Sequence, residues 1–248
     1  MRAVRAVVGA LGELCVTAGV VLLLFVVWQL GYVAVVDGNT QAGVVSALEQ
    51  DFSGTPHGAA TNGATPGTPA PAPAPTSGPP LDAGQLQDGS VFGIVRIPRL
   101  GGPTWAKPVF QGVGLPVLAK GLGHYDTTQL PGQVGNVAIA GHRAGHGNPL
   151  IDIDAIRPGD VMIIETREAW FVYRAARHEI VEPTRIEVLD PVPGQPGVTP
   201  TEAWFTLTSC NPRYGSTERY IVFAKFEQKI PHDRVLPADL LTDPATKA

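Results

Sequence analysis

Hydrophobic and polar positions follow three regimes along this chain, and each predicts a different kind of structure. Residues 14–36 (LCVTAGVVLLLFVVWQLGYVAVV) carry no formal charge. At 1.5 Å per residue a helix of that length crosses the roughly 30 Å hydrocarbon layer of a bilayer, so one transmembrane helix is expected here. Residues 38–52 (GNTQAGVVSALEQDF) place apolar side chains at helix-like intervals, which predicts a short helix beyond the span. The composition then shifts abruptly over 53–80 to Pro, Ala, Gly and Thr, with PAPAPAP at 69–75. Such a stretch cannot bury apolar surface. It predicts an extended, polyproline-like spacer that carries the following residues away from the bilayer.

From about residue 87 the pattern becomes that of β-structure. Short alternating or apolar runs recur at 91–98 (VFGIVRIP), 115–121 (LPVLAKG), 136–142 (NVAIAGH), 160–166 (DVMIIET), 169–181 (AWFVYRAARHEIV), 203–209 (AWFTLTS) and 219–226 (RYIVFAKF). Turn clusters such as PGQVGN and RPGD separate them, and no strand–helix rhythm appears, so a closed barrel or sandwich is expected. IDIDAI (151–156) suits a helical turn. The chain thus divides into an N-terminus (1–13), a span (14–36), a juxtamembrane segment with a Pro/Ala/Gly-rich linker (37–86), one β-rich domain (87–230) and a polar, proline-punctuated tail (231–248).

Charge orients this scheme. Arg2 and Arg5 flank the span on one side and Asp37 follows it on the other, so the positive-inside rule places the N-terminus in the cytoplasm and the domain outside. The apolar run is longer than a secretory signal core, and no A-x-A site closes it, which favours an uncleaved anchor. A net charge of −4 without any Lys/Arg run gives nucleic acid nothing to bind. The two cysteines, Cys15 and Cys210, fall at the membrane and far outside it, so they cannot pair. Cys210 is left as a lone thiol in a compartment that oxidises thiols, which points to chemistry rather than packing.

Cys210 ends the strand pattern AWFTLTSC and is followed by Asn211-Pro212, a pair that stops regular structure. A strand end is held rigidly yet opens to solvent, which suits a nucleophile. A thiol needs an imidazole or a cation beside it to react as thiolate. Of six histidines, His57 lies in the linker, His232 in the tail and His178 within a strand pattern, while His124 and His146 are loop positions. His142 closes its own apolar strand as Cys210 does, so the two can meet at one barrel mouth. The His142/His146 spacing of four would suit zinc on a helix, but RAG between them and Gly147-Asn148-Pro149 after them oppose a helix, and no third ligand is evident. No metal or cofactor is expected. Arg219 opens the strand after Cys210, across the loop NPRYGSTE, and a hairpin could return its guanidinium to the thiol. Arg213, within that loop, is an alternative for the same role.

NVAIAGHR (136–143), TLTSCNP (206–212) and an arginine nine residues after the cysteine together resemble the sortases, cysteine transpeptidases of Gram-positive cell surfaces. PGQVGN, AGHR and RYIVFAKF look most like the class E branch, and Ser209 stands where many sortases have Thr. The resemblance implies an eight-stranded sortase-type β-barrel with short helices, preceded by one transmembrane helix. It implies Cys210 as nucleophile, His142 as general acid/base and Arg219 as stabiliser of substrate and oxyanion, with Thr208 and Ser209 beside bound substrate. It further implies a single-pass cell-membrane enzyme without cofactor that cleaves an LPxTG or LAxTG sorting signal of a surface protein between Thr and Gly. The acyl group would then pass to an amine such as that of lipid II or peptidoglycan. A cysteine hydrolase on the same scaffold is the other reading.

Overall fold

In a computed structural model the chain is described over residues 2–28, 32–54 and 86–242. Helix α1 (Arg2–Val27) contains an apolar stretch, Val7–Val27, of mean hydropathy 2.4, long enough to cross a membrane and with none of it buried by protein. The charge-free span expected at 14–36 overlaps this helix; residues 29–31 lie outside the described residues.

Helix α2 (Val33–Phe52) follows. Its buried residues Gln41, Val45, Leu48 and Phe52 recur at helical spacing and form one stripe. The apolar members pack on Ile94, with Val91 and Ala106 alongside. Charge pairs hold its C-terminal end, Glu49 to Arg96 at 2.6 Å and Asp51 to Arg167. Most of the proline-rich linker lies outside the described residues, but both its flanks rest on the domain, since Phe52 packs on Ile94 and Leu86 on the main core. The outward reach expected of that linker falls on residues outside those described. The helix after the span docks directly on the barrel, because its apolar stripe is stabilised by burial there.

Eight strands close into a barrel in the order β1-β2-β3-β4-β7-β8-β6-β5. They are β1 (Val91–Arg96), β2 (Ala106–Gln111), β3 (Leu122–His124), β4 (Gly135–Gly141), β5 (Val161–Thr166), β6 (Ala169–Val181), β7 (Ala203–Asn211) and β8 (Glu218–Pro231). The β2–β3 and β4–β7 pairs are parallel and the remaining pairs antiparallel. This is the eight-stranded barrel that the sequence resemblance implied. Its interior is filled by Ile139, Tyr173, Phe205, Leu207 and their neighbours, each about 1.5–3 kcal/mol of apolar burial if a large side chain. The Tyr173 hydroxyl, fully buried, is satisfied by the Gly132 N–H at 2.8 Å.

Two local readings are corrected. LPVLAKG does not form a strand; it begins with helix α3 (Leu115–Leu118), where Pro116 occupies the first turn, a position whose missing N–H costs a helix nothing. Strand β2 was not foreseen, because Pro108 lies inside it. IDIDAI does form a helical turn, Ile153–Ala155. The tail is packed as far as Leu241: Leu236, Leu240 and Leu241 cover Val161, Ile163, Val172 and Ile230 on the outside of β5, β6 and β8.

Candidate active site

Strand register brings the three motif residues to one rim. Parallel β4 and β7 run together from Gly135 beside Ala203 to Gly141 beside Ser209. His142 and Cys210 are each the next residue. Antiparallel β8 places Arg219 directly opposite Cys210. Alternation puts them on a common face. Gly141 points inward, where an added Cβ would come within 2.5 Å of Leu122 and 2.8 Å of Leu150, so the next side chain, His142, points outward. Ser209 is likewise internal, and its hydroxyl donates to the Gly141 carbonyl at 2.9 Å. That bond latches the two strand ends one residue before the thiol and the imidazole. It gives Ser209 a buried partner within the protein. Thr208 faces outward and lines a groove of about 160 Å³ with Arg219, Ile221 and Tyr125, roofed by Val181, Ile186 and Val188. Tyr125 and Thr208 hydroxyls are 3.4 Å apart at its floor.

Cys210 is a free, partly exposed thiol. The His142 ring has no hydrogen-bond partner among the described residues and packs instead against the tilted ring of His146, centroids 4.7 Å apart at 31°. Burial first, and the neighbouring His146 second, push its pKa below the usual histidine value. That shift favours the neutral imidazole, the form able to accept a proton. The other described histidines are committed elsewhere. His124 is buried, bonded to Gln111 at 2.9 Å and the Gln129 carbonyl at 3.0 Å, with its pKa lowered by burial. His178 is exposed and stacks on Tyr220. His232 bonds the Thr166 carbonyl at 2.6 Å and packs on Trp170. His57 lies outside the described residues.

Arg219 makes no ion pair among the described residues. One terminal nitrogen donates to the carbonyls of Ser216 and Glu218, both at 2.9 Å, which fixes the guanidinium on its own hairpin. Glu218 is engaged instead by the Asn211 amide at 2.7 Å. Arg213 is spoken for by Asp152 at 3.0 Å and Asp154 at 3.5 Å. Of the two arginines near the thiol, the one in strand register with Cys210 has charge to offer a substrate.

One residue escaped sequence reading. Arg143, directly after His142, is buried. It donates to Asn211, directly after Cys210, at 2.5 Å, pairs with Asp154 at 2.9 Å, and lies 5.6 Å from the ring of Tyr220, directly after Arg219. The followers of all three rim residues thus interlock on the side of the strands opposite the groove. A charged residue among apolar strand ends, in AGHR, was the available signal. Arg143→Met should lower stability by about 2 kcal/mol, because Asn211 and Asp154 lose a charged partner. Denaturant unfolding checks the number; a midpoint unchanged from wild type would remove Arg143 from this role.

A family model described as "Sortase domain" matches residues 95–227. Sortase SrtE1 of Streptomyces coelicolor is 31% identical over 242 residues, covering 94% of this chain; the chain spans 61% of that relative's length. The structure of sortase E from Streptomyces avermitilis superposes with a TM-score of 0.57 at 40% identity, covering 62% of this chain and 99% of that one. Sortase E1 from Streptomyces coelicolor, solved with a tripeptide in the active site, gives a TM-score of 0.57 at 32% identity, covering 63% and 99%. By matched domain, sequence identity and barrel topology, this chain belongs to the sortase family and to its class E branch.

Proposed function

We propose that this protein is a membrane-anchored cysteine transpeptidase. It recognises an LPxTG or LAxTG sorting signal on a surface protein and cleaves between Thr and Gly. It holds the acyl part as a thioester on Cys210 and passes it to a cell-wall amine, such as that of lipid II or peptidoglycan. The single observation that carries this reading is the register that sets Arg219 opposite Cys210 while His142 follows the strand position beside Ser209.

In the first half-reaction the Cys210 sulfur attacks the Thr carbonyl and the His142 ring takes the thiol proton, its neutral state favoured by the lowered pKa. Negative charge develops on the carbonyl oxygen, where the Arg219 guanidinium stabilises it. The C–N bond breaks, His142 returns the proton to the leaving glycine amine, and the thioester remains. An incoming amine reverses these steps: it attacks the thioester, His142 accepts its proton, and the thiol is regenerated. The groove at Thr208 and Ile221 runs to Arg219 and suits an extended peptide, as the tripeptide bound in the Streptomyces coelicolor relative also suggests. Arg2 and Arg5 on one side of the span and Asp37 on the other favour a cytoplasmic N-terminus and an external barrel.

Transfer and hydrolysis differ only in what resolves the thioester. Incubating the protein with LAxTG and LPxTG peptides, with and without a glycine-based amine, and weighing the products tests this directly. Ligated peptide as the main product is expected. Free threonine acid alone, at the same rate with or without amine, would leave a hydrolase.

A further inference from the structure

The loop that follows His142 has a backbone that needs outside support. Gly145, His146, Gly147 and Asn148 all have positive φ, of 83°, 50°, 76° and 49°. For His146 and Asn148 this left-handed region is sparsely populated and persists only where neighbours over-determine it. Some support is local, since Asn148 accepts the Gly145 N–H at 2.6 Å. The rest comes from α2, about a hundred residues earlier in the chain. The Gln41 amide donates to the His146 carbonyl at 2.8 Å. Gly147 fits against the helix so closely that an added Cβ would stand 3.0 Å from the Gly38 nitrogen and 3.1 Å from the Gln41 amide nitrogen. Asp37 lies 3.8 Å from the His146 ring, an ion pair too exposed to contribute much by itself.

Gln41 is the informative residue. It occupies the buried stripe of α2, where an apolar side chain would cost nothing, and its own carbonyl oxygen is buried without a partner among the described residues. A buried acceptor left unpaired forfeits its hydration without a replacement bond. The bond to the His146 carbonyl is what the amide gains in return. His146, so held, supplies the ring against which the otherwise unbonded His142 imidazole packs, tilted by 31°.

We propose that His146 is a positioning residue for His142 and that α2 fixes it in place through Gln41, so that the helix emerging from the membrane span is part of the active-site assembly. The proposal rests on the reading of His142 as the general acid/base. The ionisable groups bearing on that imidazole are His146 from its own loop, Asp37 from α2 by way of His146, and Cys210 and Arg219 from the adjoining ends of β7 and β8.

The test uses the full-length protein in detergent, a fluorogenic LAxTG peptide and a glycine-based amine. His146→Ala should lower kcat about tenfold, as expected when a catalytic group loses its orientation, with KM for the peptide unchanged because the groove is untouched. The acid limb of the kcat/KM profile should move to higher pH, since a neighbouring charge and part of the burial that depress His142 are gone. Gln41→Met keeps volume and helix propensity and removes the donor, so it should reproduce both changes to a smaller degree without lowering the unfolding midpoint. A wild-type kcat and pH profile in His146→Ala would overturn the positioning role. The same result in Gln41→Met alone would overturn the part given to α2. If His142→Ala itself proves active, the failure lies instead with the assignment of His142.

Discussion

Cys210→Ala should reduce peptide transfer to background, and His142→Ala should lower it by about 100- to 10,000-fold, the range lost with a general acid/base. Both proteins should stay folded. The Cys210 thiol is partly exposed at a strand end, and the Ser209 latch to Gly141, which joins β7 to β4, involves neither side chain. The double variant should be no worse than Cys210→Ala, because the pair acts as a unit and its losses do not add. Mass spectrometry of the acyl-enzyme locates the defect: no adduct in Cys210→Ala, slow formation in His142→Ala. Transfer at the wild-type rate by either variant would sink the proposed mechanism.

Arg219→Lys carries the second large effect, a fall in kcat of about 100-fold or more, comparable to deleting one oxyanion donor. The guanidinium rests one terminal nitrogen on the Ser216 and Glu218 carbonyls and keeps its remaining donors for a ligand. A lysine ammonium is a single point of charge. It can satisfy those carbonyls or reach the oxyanion, but it cannot present a planar fork to both. Arg213→Lys is the paired control. Its guanidinium is held by Asp152 and Asp154, so activity should change little. If the two results came out reversed, charge stabilisation would pass to Arg213.

Six of the eight strands, and the strand-end places of Cys210 and His142, were readable in the sequence because they rest on short-range signals; the choice of a barrel over a sandwich came from the family resemblance. Alternation marks β1 and β4 to β8, and a cysteine and a histidine each closing an apolar run announce a shared strand end. Where the reading failed, the determinant was distant or ambiguous. LPVLAKG contains an apolar run too short to distinguish strand from helix, and Pro116 decides it. β2 hides behind Pro108, and β3 is only three residues long. Arg143 looks like a surface charge until Asn211 and Tyr220 close around it. The contact between Gln41 and His146 has no local signature at all, since it joins a helix to a loop across the linker. The linker itself was read from composition, which says that it cannot pack but not which two points it connects.

Because α2 is docked, the rim lies a bounded distance along the chain from the apolar stretch of α1. Gln41 is eight residues into a helix that starts at Val33, about 12 Å along its axis, and the six residues back to Val27 add at most about 20 Å. The imidazole loop is therefore leashed within roughly 30 Å of the point where the chain leaves its apolar stretch. With that stretch in a bilayer, as proposed, reactants confined to the same bilayer would meet this site in a thin layer rather than in bulk solution, at an effective concentration set by the leash and not by the length of the proline-rich segment.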